Sequence, residues 1–222
     1  MQIAVIGACG KLGSTIVSVL EKLHNVIPVD KSLNNSLSDI VFADCVIDAS
    51  APHVSVYCAQ YCSENNIPLL IACTGHTSDQ INQIDQLCSN IAYAMCPNLS
   101  AGILWIMQSL THVNLLTNAF ISITETHHKS KKDCPSGTAI ALKNQIEKYS
   151  NSNAYITSIR DEDSVGTHTI NITLDGEEIS ITHKAFSRKV FANGALRAIE
   201  MLCTLPSGKY SLINLLGASY EN

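Results

Sequence analysis

The sequence predicts an α/β chain in two parts, a doubly wound parallel sheet followed by a smaller α+β domain with an open four-stranded sheet. Three observations predict it. Apolar strands alternate with helix-patterned segments over the first hundred residues. A glycine-rich turn joins the first strand to the first helix. Past residue 98 the alternation gives way to a run of strands with short turns. Alternating strands and helices form right-handed βαβ units and hence a parallel sheet, whereas consecutive strands joined by Asp/Gly turns read as antiparallel neighbours.

The elements follow in order. A strand at 3–6 meets the glycine turn, and a helix follows whose apolar positions Leu12, Ile16, Leu20 and Leu23 fall at helical spacing. Strands at 26–29 and 45–49 end at Asp30 and Asp48. A helix near 53–65, a strand at 68–72, a helix near 79–88 and a strand at 91–95 complete a Rossmann-like domain over 1–98. A long apolar helix from Ser100 to Leu115 opens the second domain, 99–203. Its strands are expected at 119–125, 154–160, 167–174 and 178–186, with a helix over 136–149. A final helix near 191–203 closes this domain, and the tail 204–222, apolar at 212–216, is expected to dock on the first.

Composition excludes several classes. The 222 residues hold 14 Lys+Arg against 19 Asp+Glu, a formal net charge of −5. All of the excess acid lies in residues 1–110, whose basic side chains are Lys11, Lys22 and Lys31. Binding to nucleic acid or an anionic membrane needs clustered Lys/Arg, so neither partner is expected. Nine scattered cysteines, an odd number, suggest reduced thiols in a cytoplasm rather than a disulfide framework. No basic leader, signal-peptide core or membrane-length apolar run is read.

Two motifs carry chemistry. The first, Gly7-Ala8-Cys9-Gly10-Lys11-Leu12-Gly13, lies between a strand and an amphipathic helix. Glycines there let backbone N–H groups approach a pyrophosphate at the positive helix end. Asp30, 23 residues past Gly7, is placed to grip an adenosine ribose. A carboxylate at Asp30 favours NAD, while Lys31 beside it tolerates a 2′-phosphate, so NADH and NADPH both stay open.

The second motif runs from Glu125 through His127, His128, Lys129, Lys131, Lys132 and Asp133 to Pro135-Ser136-Gly137-Thr138. Histidine and lysine beside a helix start suit a small dicarboxylate that must also be protonated. For Ser136 alone, N-capping competes with that reading. No metal is expected: a zinc site from His127, His128 and Asp133 is disfavoured, because adjacent histidines rarely reach one ion and no HxxxH or CxxC partner exists.

The stretch Glu125-x-His127-x-x-x-Lys131-x-Asp133-x-x-Ser136-Gly137-Thr138-Ala139 resembles the signature of the 4-hydroxy-tetrahydrodipicolinate (dihydrodipicolinate) reductase family. Five further blocks resemble it in the same order: Gly7 to Gly13, Asp48 to Pro52, the turn Ala72 to Gly75, Cys96 to Ser100, and His183 to Ala195. The resemblance implies a cytoplasmic homotetramer that reduces a cyclic imine dicarboxylate with NADH or NADPH for diaminopimelate and lysine synthesis. It implies His127 and Lys131 as proton donors, and His128, Ser136, Gly137 and Thr138 as substrate ligands. The cofactor contacts it implies are Gly7, Ala8, Cys9, Gly10, Lys11, Leu12, Asp30, Lys31, Ala72, Cys73, Thr74, Cys96, Pro97, Asn98 and Leu99. Closure of the two domains about Pro97 and the 203–206 turn is expected to bring the ligands together.

Three features depart from the family pattern: Ala72-Cys73-Thr74-Gly75 replaces its Gly-Thr-Thr-Gly turn, Ser122 stands where an acid is usual, and 31–45 is too short for a full helix. The alternatives are another two-domain nicotinamide oxidoreductase, or a non-catalytic dinucleotide sensor, which would have no need of the His127/Lys131 pair.

Overall fold

Strands with no polar face need cover on both sides, and the first strand of the chain is of that kind. In a computed structural model, which describes residues 1–40, 42–161 and 164–217, Ile3, Ala4 and Val5 of β1 (Gln2–Ile6) are wholly buried. So is all of β3 (Cys45–Asp48). Such continuous apolar runs belong to a parallel sheet with helices on both faces.

That sheet adds β2 (Asn25–Val29), β4 (Leu69–Ile71), β5 (Ala92–Met95) and β10 (Gly208–Tyr210) in the order β10-β5-β4-β3-β1-β2, every pair parallel. Helices α1 (Gly13–Leu20), α2 (Pro52–Asn65) and α3 (Ser78–Leu87) make the crossovers. β1 lies between β2 and β3, so the chain leaves it toward opposite sides of the sheet, and a crevice opens beyond the strand ends at that switch point. The segment after Asp30 forms only two 3-10 turns, Lys31–Leu33 and Leu37–Ile40. Leu23 lies past the end of α1 and is exposed, so it is not part of the buried stripe the periodicity suggested.

The second unit holds α4 (Ala101–Ser109), β6 (Phe120–His128), α5 (Gly137–Tyr149), β7 (Ala154–Asp161), β8 (Gly166–Leu174) and β9 (Glu177–Ala185). The long helix expected from Ser100 is α-helical only to Ser109 and continues as a 3-10 helix to Leu115. The sheet order is β7-β6-β8-β9. β7 pairs with β6 in parallel and does not touch β8, contrary to the antiparallel neighbours expected. The reason is that α5 carries the chain across from β6 to β7, as a parallel connection requires. Ile121, Ile123, Ile170 and Ile172 pack with Ala139, Leu142 and Ile146 of α5 to form the core of this unit.

The chain divides as 1–99 with 189–222, and 100–188. The last long helix, α6 (Lys189–Leu202), therefore belongs to the parallel-sheet unit, not to the second domain where the sequence reading put it. It packs on α1, and its buried residues include Ala192, Gly194, Ala195 and Ala198. A Cβ at Gly194 would stand 1.8 Å from Leu99 O, so only glycine permits this approach. Of the tail, 204–217 forms β10, which extends the parallel sheet beside β5, and α7 (Leu212–Leu216), which packs on α6. The remainder, 218–222, lies outside the described residues. No helix among the described residues is long and apolar enough to cross a membrane.

Candidate active site

On β6 the side chains of Ile121, Ile123, Glu125 and His127 all turn inward, two apolar and then two ionisable. The neighbouring strands change character at the same level. Ala154 and Ile156 of β7 lead to Ser158 and Arg160, and Ile172 and Ile170 of β8 lead to His168 and Gly166. Registered across the sheet, Ser158, Glu125, His168 and His183 form one row. One end of the sheet's inner face is thus a buried polar layer, and the N-terminus of α5 packs against it.

Glu125 is the hub. It is completely buried, and its Oε1 accepts from Arg160 Nη1 at 2.9 Å and from the backbone N–H of Ser136 at 3.2 Å. Its Oε2 pairs with Nδ1 of His127. Burial alone would raise its pKa, but hydrogen bonds from Ser158, His127 and Arg160 outweigh that cost and hold it below the usual carboxylate value. His127 is depressed below the ordinary imidazole value, chiefly by burial, with Lys131 and Arg160 adding to the fall and Glu125 opposing it. The ring of His168 meets that of His127 edge-on at 5.1 Å, and its Nε2 lies 3.2 Å from Ser136 Oγ.

Glu125, His127 and His168 present ligand atoms within 4.8 Å of one another. The Glu125–His127 hydrogen bond and the edge-on contact of His168 with His127 account for this closeness, and the Arg160 guanidinium on the same carboxylate opposes a bound cation.

The loop after β6 carries the cations. Lys131 Nζ pairs with Asp133 Oδ1 at 2.8 Å. The Asp133 carboxyl lies below its usual range: burial would raise it, and Lys131 together with the N–H of Gly137 more than compensates. Ser136 is the N-cap of α5, accepting from Ala139 N at 3.2 Å. With its N–H on Glu125 and its hydroxyl shared with His168, it is committed to the scaffold, and the Gly137 N–H next to it faces the Asp133 carboxylate. His127 and Lys131 are brought together. His128 turns to the opposite side of the strand, where its Nδ1 meets Ser130 Oγ at 2.8 Å. Sequence reasoning gave no role to Glu125, Arg160 or His168. The Ile-x-Ile-x-Glu-x-His alternation was the available signal for Glu125; Arg160 and His168 reach the site only through strand register.

In the parallel-sheet unit, the loops after β1, β2, β4 and β5 all lie at the C-terminal edge of the sheet and bring together Gly7–Leu12, Asp30 and Lys31, Ala72–Thr74 and Cys96–Leu99. Gly7 has φ +76°, and a Cβ there would meet Ala49 O at 2.9 Å. α1 has no side-chain cap, and within its first turn Ser14 N–H donates to Gly10 O at 2.9 Å. Asp30 accepts from Ser32 N and from Cys9 N, which ties the second strand to the glycine loop. Cys96 is buried, so only its backbone can line this edge.

Behind the 72–74 turn, Ser55 Oγ donates to buried Asp48 at 2.5 Å, and His76 Nε2 and Cys73 Sγ lie 2.9 and 3.0 Å from the same hydroxyl. Burial, then Asp48, pushes the Cys73 thiol up to about 12, which keeps it a thiol at neutral pH and poorly reactive.

Two family profiles match the chain, dihydrodipicolinate reductase, N-terminus, over residues 21–99 and dihydrodipicolinate reductase, C-terminus, over residues 102–216. It is 32% identical over 223 residues to the 4-hydroxy-tetrahydrodipicolinate reductase of Thermosipho africanus, covering 99% of this chain and 100% of that relative. The chain belongs to the dihydrodipicolinate reductase family. A second member, from Lawsonia intracellularis, is 32% identical over 256 residues, with 97% of this chain and 99% of the relative covered. Among solved structures, the dipicolinate-bound dihydrodipicolinate reductase of Paenisporosarcina sp. TG-14 shares the fold at a TM-score of 0.79 and 20% identity, over 97% of this chain and 99% of that one.

Proposed function

We propose that this dihydrodipicolinate reductase family member uses NADH or NADPH to reduce the cyclic imine derived from 4-hydroxy-tetrahydrodipicolinate to tetrahydrodipicolinate, on the route to diaminopimelate and lysine. The observation that carries the reading is the buried Glu125–His127 pair beside Lys131 at the start of α5. A dinucleotide sensor has no use for such a proton-handling layer, and the family match disfavours an unrelated oxidoreductase.

The residues at the C-terminal edge of the parallel sheet fit a nicotinamide dinucleotide. The positive φ of Gly7 and the uncapped α1 suit a pyrophosphate, and Asp30 suits a ribose. When bound, the nicotinamide supplies a hydride. Adding hydride to the conjugated imine forms one C–H bond and leaves an enamine anion that must take up one proton. His127, as imidazolium, delivers it from Nε2 and is left as the neutral ring with its proton on Nδ1. Lys131 is the second donor, and its charge, with the Gly137 and Thr138 amides, receives a substrate carboxylate.

The face of the four-stranded sheet away from α5 carries Phe120 and Tyr155 exposed and stacked at 5.4 Å, alongside Thr124 and Thr169. It supports assembly with further copies of this chain into a homotetramer. The test of the activity is oxidation of NADH and NADPH by the purified protein with and without the product of dihydrodipicolinate synthase. Substrate-dependent oxidation is expected; none with either cofactor would refute the proposal.

A further inference from the structure

We infer that Glu125 and Gly166 are positioning residues for His127, Glu125 fixing which ring nitrogen exchanges the proton and Gly166 keeping that nitrogen accessible. The inference rests on the proposed role of His127 as a proton donor and names what sets it. The two groups that meet Glu125 Oε1, Arg160 Nη1 and the Ser136 N–H, are donors without acceptor capacity. Oε1 accepts both, and the Arg160 cation, with a further hydrogen bond from Ser158, holds Glu125 below the usual carboxylate value, so Oε2 carries no proton and accepts. His127 Nδ1, on the other oxygen, must then carry a proton in both ionisation states of the ring. Only Nε2 is left to exchange one.

Nε2 lies against Gly166. A Cβ built there would stand 3.0 Å from Nε2 and 3.2 Å from Cδ2. Gly166 sits in β8 in an ordinary strand conformation, so no backbone requirement explains the glycine. What it supplies is room at the proton-exchanging atom.

The charged and titratable groups facing His127 are Glu125 on β6, Arg160 on β7, His168 on β8 and Lys131 in the following loop. Burial, Lys131 and Arg160 disfavour its imidazolium, and Glu125 is the group that favours it. Removing that charge should restrict the protonated donor to lower pH.

The test uses Glu125→Gln and Gly166→Ala. In Glu125→Gln, the high-pH limb of kcat should move down by about one unit, about a tenfold loss of kcat above that limb, with KM for NADH unchanged. Gly166→Ala should lose roughly tenfold in kcat with the limb in place, because its methyl obstructs Nε2 without altering charge. A pH profile for Glu125→Gln that superimposes on wild type, or undiminished turnover in Gly166→Ala, would overturn the inference. Imidazole nitrogen NMR gives a readout without turnover. Neutral His127 should carry its proton on Nδ1 in the wild type and lose that preference in Glu125→Gln. Nε2 protonation in the wild type, or the same tautomer in both, would overturn the inference even if the activity proposal had failed. If Glu125→Gln does not fold, the wild-type spectrum and Gly166→Ala still decide.

Discussion

His168 shows what the buried polar layer costs. Burial, then the neighbouring His127, pulls its pKa down to about 4, while Nδ1 is buried with no hydrogen-bond partner among the described residues. Between the ordinary imidazole value and about 4, the unfolded chain therefore holds a proton there that the folded chain does not. Stability must fall as pH drops through this window, by at most about 3 kcal/mol for this one group. His127 and His183 are depressed in the same sense. Denaturant midpoints measured from pH 7 to pH 4 should decline, and His168→Asn should flatten the slope. Asp133 supplies a second residue-scale outcome. Its carboxylate occupies Lys131 and the Gly137 amide, the groups proposed for a substrate carboxylate. Asp133→Asn should lower KM for the dicarboxylate about two- to fivefold, the factor that one exposed ion pair gives. Steady-state kinetics would register it.

At the scale of elements, the site follows from register. β6 was legible as a strand, and His127 near its end and Lys131 in the loop after it were legible as candidate proton donors by residue type. Their partners were not, because Arg160 and His168 come from strands 33 and 41 residues away in sequence from His127 and become neighbours only through pairing. The parallel placement of β7 was missed because a turn signal tells where a strand starts, not which strand it joins. β10 was missed because three residues, Gly208–Tyr210, carry no periodicity. The glycine loop, by contrast, was readable as a tight strand-to-helix turn, since that requirement is local. A Cβ on Gly13 would fall 2.0 Å from Gly7 O, so Gly13→Ala must push helix and loop apart. We expect a loss of about 1–3 kcal/mol in stability and at least tenfold weaker NADH binding, read by thermal melting and calorimetric titration.

Across the whole molecule, the negative balance of the first half is compatible with the proposed anion site, where backbone amides rather than bulk charge would receive the phosphates. Two of its three basic side chains, Lys11 and Lys31, stand at that edge of the sheet. The second half gathers Lys129, Lys131 and Lys132 beside the start of α5. The two-domain order was visible in the sequence, but the return of α6 to the first unit was not, since its small residues mark close packing without naming the partner. For assembly, sedimentation should find four copies of the wild type, and Tyr155→Lys on the uncovered sheet face should yield smaller species. The central claim is that His127 and Lys131 at the polar end of this sheet protonate a dicarboxylate reduced by a nicotinamide cofactor. It is tested most directly by comparing kcat/KM for the imine in wild type, His127→Ala and Lys131→Ala, alongside the Kd for NADH. The account predicts a loss of at least about a hundredfold in kcat/KM for each variant, with Kd unchanged; undiminished turnover in either variant would contradict it.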